Sequence, residues 1–128
     1  MPRSQSVTLT PAELRLMELL WQRKAATVHE LVEALPKKLP LAYNSVLTTI
    51  RILERKGYVR HAKTGRAHVY EPQVDRANAT RFEIRNLVSR FFHDSQELLV
   101  LNILEERVDA EELDRLRNLL LAAPEEKQ

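Results

Sequence analysis

The chain contains only two glycines, Gly57 and Gly65, and both lie within the segment ERKGYVRHAKTGRAHVY. Glycine adopts a positive φ more readily than any other residue, so this pair marks two places where the backbone must turn. Gly57 follows a helical pattern and predicts a left-handed helix end. Gly65 separates two short runs rich in β-branched and basic residues, which predicts a hairpin. The chain must therefore place a helix directly before a β-hairpin.

Two further helices are predicted upstream of this point. The segment TPAE, from Thr10 to Glu13, has the spacing of a capping box and predicts a helix that ends near Gln22. The segment TVHE repeats the pattern from Thr27 and predicts a shorter helix, ended by the break around Pro36 and Pro40. The apolar residues assigned to the first helix are Leu14, Met17, Leu20 and Trp21.

The third helix is predicted from about Ala42 to Lys56, and it has two faces. Projected at 100° per residue, its apolar positions point one way and a polar, basic set points the other. The apolar set is Val46, Ile50 and Leu53, and the polar set is Asn44, Thr48, Arg51 and Arg55. Because the polar face carries no carboxylate, it is suited to a polyanion.

Two strands are predicted after the third helix, from Tyr58 to Ala62 and from Ala67 to Pro72, with residues 63–66 forming the turn. Alternation along the first strand should point Arg60 and Ala62 away from His61. Three helices followed by a basic hairpin are typical of a winged helix-turn-helix domain, predicted here for residues 1–73. The fold class predicted for the whole chain is therefore mostly α with a small β-hairpin.

Residues 74–123 are predicted to form a helical dimerisation region, followed by a frayed tail at 124–128. Asp75, Ser95 and Asp109 each begin an apolar-faced helical pattern, and the last of these has capping-box spacing. Three such helices offer more apolar surface than a small bundle buries alone, which predicts a homodimer. The predicted dimerisation residues are Phe91, Phe92, Leu98, Leu101, Leu104, Leu113, Leu116 and Leu120.

The charge distribution supports this division. The chain as a whole carries a net charge of +2, but residues 1–80 contain 13 Lys and Arg against 7 Asp and Glu, a net of +6. The remaining residues contain 7 and 11, a net of −4. A basic front half favours a polyanionic partner and an acidic rear half favours another role.

Composition excludes several classes of protein. With no cysteine there are no disulfides and no thiolate metal sites. No apolar run is long enough to span a membrane, and MPRSQSV lacks the apolar core of an export signal, so we expect a cytoplasmic protein. There is neither a Gly-rich phosphate loop nor a G-x-S-x-G elbow, so no enzymatic activity and no cofactor are expected.

Three residues of the third helix are predicted to read base edges: Asn44, Thr48 and Arg51. Asn pairs bidentately with adenine, Arg pairs with guanine, and the Thr methyl contacts a thymine methyl. Hydroxyls near the helix start and cationic side chains are assigned to phosphates instead. The residues with this backbone assignment are Tyr43, Ser45, Arg55, Arg60, Lys63, Arg66 and His68. The alternative is a solvated helix face with no ligand.

The four histidines, His29, His61, His68 and His93, are scattered through the sequence. They lack the i, i+4 spacing and the neighbouring carboxylates of a metal site, so no metal is predicted. Trp21 lies on the apolar face of the first helix and is assigned to the core rather than to base stacking.

Several separated segments resemble one family, in the right order and over most of the chain. They are LTPAELRLMELLWQRKAATVHELVEAL, LAYNSVLTTIRILERKGYVRH, the hairpin closing on VYEP, and LLVLNILEERVDAEELDRLRNLL. The chain resembles the penicillinase and methicillin-resistance repressors of the BlaI/MecI type. The resemblance implies a dimeric winged-helix repressor of β-lactam resistance genes that binds an inverted-repeat operator in double-stranded DNA.

The resemblance also implies a mode of inactivation. In the best-known members, a membrane-bound β-lactam sensor leads to cleavage of the repressor between Asn and Phe, so a sensor-linked protease is an implied partner. The bond that matches by position lies between Asn102 and Ile103, where Ile replaces Phe. Copper-sensing relatives carry a C-terminal cysteine cluster, which this chain lacks.

Two other functions are compatible with the residues. A winged helix can serve as a protein-interaction module, with the polar face of the third helix meeting an acidic protein. Alternatively, a small molecule could bind in a pocket between the domains and control the protein, although no convergent polar groups in the sequence define such a pocket. A sequence-specific footprint separates DNA binding from the first alternative, and a thermal shift with ligands tests the second.

Overall fold

The computed structural model describes residues 8–37, 42–106 and 108–123. The predicted break at Pro40 and the predicted tail at 124–128 lie outside these residues. The described part is mostly helical with one antiparallel hairpin, which confirms the predicted fold class. In chain order the elements are α1 (Pro11–Arg23), α2 (Val28–Ala34), α3 (Tyr43–Lys56), β1 (Val59–Thr64), β2 (Ala67–Pro72), α4 (Arg76–Phe91), α5 (Gln96–Glu105) and α6 (Ala110–Ala122).

Capping boxes begin both α1 and α2, as the sequence predicts. The Thr10 hydroxyl accepts from the Glu13 N–H at 3.1 Å, and the Glu13 carboxylate accepts from the Thr10 N–H at 2.9 Å. Thr27 and Glu30 repeat both bonds at the start of α2. Each box satisfies two backbone N–H groups that a helix start otherwise leaves without a partner.

Gly57 ends α3 in the predicted left-handed conformation, with φ 90. Its N–H donates to the Glu54 carbonyl at 3.0 Å, and the next N–H, from Tyr58, donates to the Leu53 carbonyl at 2.9 Å. These bonds satisfy two of the last carbonyls of the helix. The left-handed turn at Gly57 ends α3, and β1 begins two residues later at Val59.

Strand β2 has the predicted bounds, whereas β1 differs from its predicted range at both ends. Strand β1 begins at Val59 rather than Tyr58 and continues to Thr64, so the turn is Gly65 and Arg66 alone. Gly65 has φ 62 and Arg66 has no positive φ, the pattern of a two-residue turn with Gly first. A two-residue turn matches the twist of the flanking strands, which explains why pairing extends closer to the tip.

One core joins the three helices and the hairpin. The fully buried side chains come from α1 (Leu16, Met17, Leu20), α2 (Leu31), α3 (Val46, Ile50, Leu53) and β1 (Val59). The prediction for α1 was wrong at Leu14, which is 39% exposed, and Leu16 takes its place. The buried stripe of α1 includes Glu13 because that carboxylate has a partner on α3. Ala26 also pairs with Tyr70 through two backbone bonds, which ties the segment before α2 to β2.

The chain forms two compact units, Met1–Asn86 and Leu87–Gln128. The division falls within α4, whereas the sequence places a domain boundary at 73/74. In the first unit, the Trp21 indole donates to the Val74 carbonyl at 2.8 Å and the Glu83 carboxylate accepts from the Leu9 N–H at 2.7 Å. The beginning of α4 therefore belongs with the first unit. Trp21 is partly buried against the core, as predicted.

The second unit contains the end of α4 together with α5 and α6. The Ser95 hydroxyl caps α5 and the Asp109 carboxylate caps α6, both as predicted. The described residues show only the Asp109 half of the capping box predicted for α6. None of the described residues of α5 or α6 is buried. Within the described ranges, no helix has the length and apolar character needed to cross a membrane.

Candidate nucleic-acid interface

The surface predicted to read bases is exposed on α3. The side chains of Asn44, Thr48, Arg51 and Arg55 face solvent, and the opposite side of the helix is buried in the core. Within the described residues, Arg51 and Arg55 have no carboxylate within ion-pair distance. The helix therefore presents amide, hydroxyl and guanidinium groups that are free to meet another molecule.

The start of α3 adds two hydroxyl groups to this surface. Tyr43 and Ser45 are exposed in the first turn, as their assignment to phosphates requires. Ala42 provides no side-chain cap, and the first turn contains no acidic residue. An uncapped helix start attracts anions because its backbone N–H groups carry partial positive charge. The beginning of α3 is therefore suited to a phosphate.

The two faces of the hairpin carry different residues, as alternation predicts. In the register observed, His61 pairs with Tyr70, and Lys63 pairs with His68, so all four side chains lie on one face. Arg60 lies on the other face, where it forms an ion pair with Glu71 at 2.9 Å. That ion pair competes with a phosphate for Arg60. Lys63 and His68 are exposed and have no such partner among the described residues.

A carboxylate on α3 holds the hairpin through His61. The Glu54 Oε2 atom lies 2.7 Å from His61 Nδ1, and the His61 ring stacks on His68 with 4.7 Å between ring centroids. The prediction that the histidines lack neighbouring carboxylates was wrong, since His29 also lies 3.3 Å from Glu33. The His29–Glu33 pair has the i, i+4 spacing of neighbours on a helix, whereas the His61–Glu54 pair depends on a tertiary contact between β1 and α3. Across the described ranges, no three His, Asp or Glu side chains converge to hold a metal ion.

A cleft of about 460 Å³ separates the hairpin tip from α3 and the start of α2. Its charged and polar lining residues are Thr27, His29, Tyr43, Arg51, Arg66 and His68. Burial raises the pKa of the Tyr70 phenol at its base, Glu54 raises it further, and Arg51 acts in the opposite direction. Four of the predicted DNA-binding residues therefore line one cleft: Tyr43, Arg51, Arg66 and His68. The sequence analysis considered a pocket only between the domains and did not predict this cleft within the first unit.

A buried ion pair fixes the far end of α3. Lys56 Nζ lies 2.8 Å from Glu13 Oε1 and donates to the Thr8 carbonyl at 3.0 Å. The Glu13 side chain is 5% exposed and the Lys56 side chain is 20% exposed. Nearby, burial raises the pKa of Tyr58 to about 12, with further contributions from the charges of Glu83 and Glu13. The ion pair joins α1 to α3 and so helps to fix the position of α3 and of its polar face.

The predicted dimerisation residues form an exposed apolar surface in the second unit. Leu101 is 52% exposed, Leu120 is 74% exposed and Phe91 is 62% exposed in the single chain. The other predicted residues with substantial exposure are Leu98, Leu104, Leu113 and Leu116, while Phe92 is half-buried. Large exposed apolar patches are rare on monomeric proteins and often mark an interaction surface. The residues are thus placed where a second chain could cover them.

The bond that matches the cleavage position lies inside α5. Asn102 and Ile103 are both exposed, and the Asn102 amide donates to the Leu98 carbonyl one turn earlier at 3.3 Å. The neighbouring residues Leu101 and Leu104 belong to the predicted dimerisation set. A cut at this bond would divide the helix that carries much of the apolar surface.

The fold and this surface define a class of protein. Three helices, a hairpin and an exposed, carboxylate-free face on the third helix make the first unit a winged helix-turn-helix domain. It resembles the solved DNA-binding domain of the repressor BlaI, with a TM-score of 0.52 and 26% identity over 59% of this chain and 93% of that chain.

Sequence comparison then identifies the family. The penicillinase repressor family matches residues 9–122, so the chain belongs to that family. It is 27% identical to the penicillinase repressor of Bacillus licheniformis, over 88% of each chain. It is 31% identical to the transcriptional regulator BlaI of Mycobacterium tuberculosis, over 84% of this chain and 79% of that protein. The predicted resemblance to BlaI/MecI-type repressors is confirmed.

Proposed function

We propose that the protein is a homodimeric transcriptional repressor that lays α3 of each subunit in the major groove of an inverted-repeat operator. The observation that carries this proposal is the exposed polar face of α3, which has no carboxylate and lies beside a cationic hairpin. Asn44, Thr48 and Arg51 are the proposed base readers. A repressor of this kind acts in the cytoplasm, where it excludes RNA polymerase from the promoter.

The proposed backbone contacts come from α3 and from the hairpin. Tyr43 and Ser45 lie at the start of α3, Arg55 lies near its end, and Lys63, Arg66 and His68 lie at the hairpin tip. Cationic contacts of this type supply affinity and salt dependence but little sequence preference. Arg60 remains a proposed contact, although its ion pair with Glu71 must open for it to reach a phosphate.

The second unit is the proposed dimerisation region. Its two C-terminal helices have no buried residue in the single chain, and their exposed leucines need a partner of the same apolar character. A second copy supplies that partner and doubles the number of half-sites contacted. Two linked contacts bind far more tightly than one, because the second is effectively intramolecular.

Cleavage between Asn102 and Ile103 is the proposed release step. The family resemblance supports a sensor-linked protease and β-lactam resistance genes as the regulated targets. Because this bond lies within α5, a cut there would divide the apolar surface of the proposed dimer and so weaken the dimer. Loss of the dimer would lower operator affinity to that of a single half-site.

Footprinting on DNA upstream of its own gene, followed by titration with variants, tests the reading face. If Arg51 reads a guanine, Arg51→Ala costs about 1 to 3 kcal/mol of binding free energy and relaxes preference at one base pair of each half-site. Arg81→Ala removes an exposed Arg from α4 and serves as the matched control. Unchanged binding would show that Arg51 does not contact the DNA. An equal loss of affinity for every DNA sequence tested would show that Arg51 contacts a phosphate instead of a base.

A further inference from the structure

A groove between α1 and the beginning of α4 lies within the first unit. Its volume is about 330 Å³, at the lower end of the range that is usual for small-molecule sites. Its apolar lining includes Leu14 and Trp21 of α1 and Ile84 of α4. Leu14 and Ile84 are both exposed, so apolar surface in the groove is open to a ligand. None of the residues that line the groove is a proposed DNA contact.

The charged side chains of the groove are two acids and one cation: Glu18, Glu83 and Arg76. The Glu83 carboxylate is held in place by the Leu9 N–H, from which it accepts a hydrogen bond at 2.7 Å. An excess of acid is unusual here, because residues 1–80 carry a net charge of +6. A groove lined by an excess of one charge attracts a ligand of the opposite charge. The groove therefore favours a cation with apolar groups.

The Arg76 side chain shows how the groove can hold a cation. Its guanidinium lies over the Trp21 ring, 4.8 Å from the ring centroid, and 3.7 Å from the Glu18 carboxylate. The Trp21 ring is itself held by its indole N–H, which donates to the Val74 carbonyl at 2.8 Å. The Arg76 and Glu18 side chains are 59% and 50% exposed, so water solvates their ion pair and the pair is weak. A ligand can therefore displace the guanidinium at little cost.

We propose that this groove binds a lipophilic organic cation, whose charge replaces the Arg76 guanidinium between Trp21 and Glu18. Trp is the best aromatic partner for a cation, and the attraction increases when water is excluded. Apolar groups on the ligand would cover Leu14 and Ile84 and so bury surface that Arg76 leaves exposed. The inference goes beyond the proposed function and does not depend on DNA binding.

The test compares two probes of the same shape and opposite charge, tetraphenylphosphonium and tetraphenylborate. Trp21 is the only tryptophan in the chain, so its fluorescence reports directly on the groove. The full chain is titrated in sodium buffer at fixed ionic strength. The phosphonium should change the fluorescence saturably, and the borate should bind at least about tenfold more weakly. Nuclear Overhauser contacts from the phenyl protons to the methyl groups of Leu14 and Ile84 should locate the bound cation.

Matched variants separate the groove from general charge attraction. Arg76→Gln removes the competing guanidinium and should strengthen phosphonium binding about three- to fivefold, whereas Glu18→Gln should weaken it by a similar factor. Arg81→Gln removes an exposed Arg of α4 that does not line the groove, and it should change the dissociation constant by less than about twofold. Equal effects of Arg76→Gln and Arg81→Gln would contradict displacement of Arg76 by the ligand.

Several results with the wild-type chain would overturn the inference. They are the absence of a saturable Trp21 response, equal affinity for the two probes, and phenyl contacts only with the leucines of α5 and α6. The dissociation constant should not depend on protein concentration. An apparent affinity that falls as protein concentration rises would assign the groove to a second copy of the chain instead. None of these results bears on the proposed DNA binding, which the operator titration tests separately.

Discussion

At the scale of single residues, the side chains near α3 divide into those that support the helix and those that face outward. Tyr58 supports it: the phenol is buried directly after Gly57, and its pKa is raised to about 12 by burial and by the charges of Glu83 and Glu13. Asn44, Thr48 and Arg51 face outward and make no contact that the core requires. Sequence spacing separated these two groups correctly on α3 because its apolar residues recur at helical intervals.

Tyr58 predicts an alkaline limit to stability. Because its pKa is higher in the folded protein than the ordinary value of 10.0, its contribution is complete below pH 10 and is lost as the pH rises towards 12. The full loss is about 2 to 3 kcal/mol of unfolding free energy. Urea unfolding between pH 9 and 11.5 should show a shallower decline for Tyr58→Phe than for the wild type.

Tyr43→Phe is the control for this prediction, since that phenol is 49% exposed on α3. It should decline with pH as the wild type does. The Tyr70 phenol, whose pKa is also raised by burial, should leave some alkaline dependence in Tyr58→Phe. An unaltered decline in Tyr58→Phe would show that burial of this phenol does not set the alkaline limit.

At the scale of elements, sequence patterns predicted the six helices, the hairpin and the helix caps. These features depend on local chemistry: a Thr with Glu three residues later, or a Gly after a helical run. Features that depend on distant partners were missed. Glu13 lies on the buried stripe of α1, where it pairs with Lys56 of α3, while Leu14 is 39% exposed. The cleft was missed for the same reason, since its residues come from three separate segments.

The ion pair between α1 and α3 predicts a loss of stability when one partner is removed. Glu13→Gln leaves the Lys56 ammonium only 20% exposed and without its carboxylate, and it weakens the cap of α1. We expect a loss of about 2 kcal/mol in unfolding free energy, measured by urea denaturation at fixed protein concentration. Glu33→Gln breaks a pair with His29 that is mostly exposed, and it should cost less than about 0.5 kcal/mol. Equal effects of the two variants would show that the Glu13 pair does not anchor α3.

At the scale of the whole molecule, the two units have opposite characters. The first has a closed core and an outward polar face on α3, while the second has two helices with no buried residue. The sequence predicted this contrast from charge and from the leucine pattern. It placed the boundary at 73/74, before α4, whereas the contacts divide the chain within α4. The first turns of α4 pack on α1, and no change in amino-acid composition along the sequence marks this contact.

Because the exposed leucines are the proposed dimer interface, a variant that prevents dimerisation should also lose affinity for the operator. Leu101→Glu places a charge on α5 where the side chain is 52% exposed in the single chain, so the fold of the subunit should survive. Sedimentation should show a monomer, and affinity for the full operator should fall about 100-fold or more while half-site affinity is unchanged. Leu14→Glu, on α1, is the control and should remain dimeric. A Leu101→Glu protein that stays dimeric would remove this part of α5 from the interface.

The most direct test of the central claim is the ratio of affinities for the inverted-repeat operator and for a scrambled duplex of the same length and composition, measured at one salt concentration. Two subunits that each read a half-site through α3 predict a ratio of about 1,000 or more. Equal affinity for the two duplexes would contradict the account, because it would mean that the polar face of α3 binds DNA only as a polyanion.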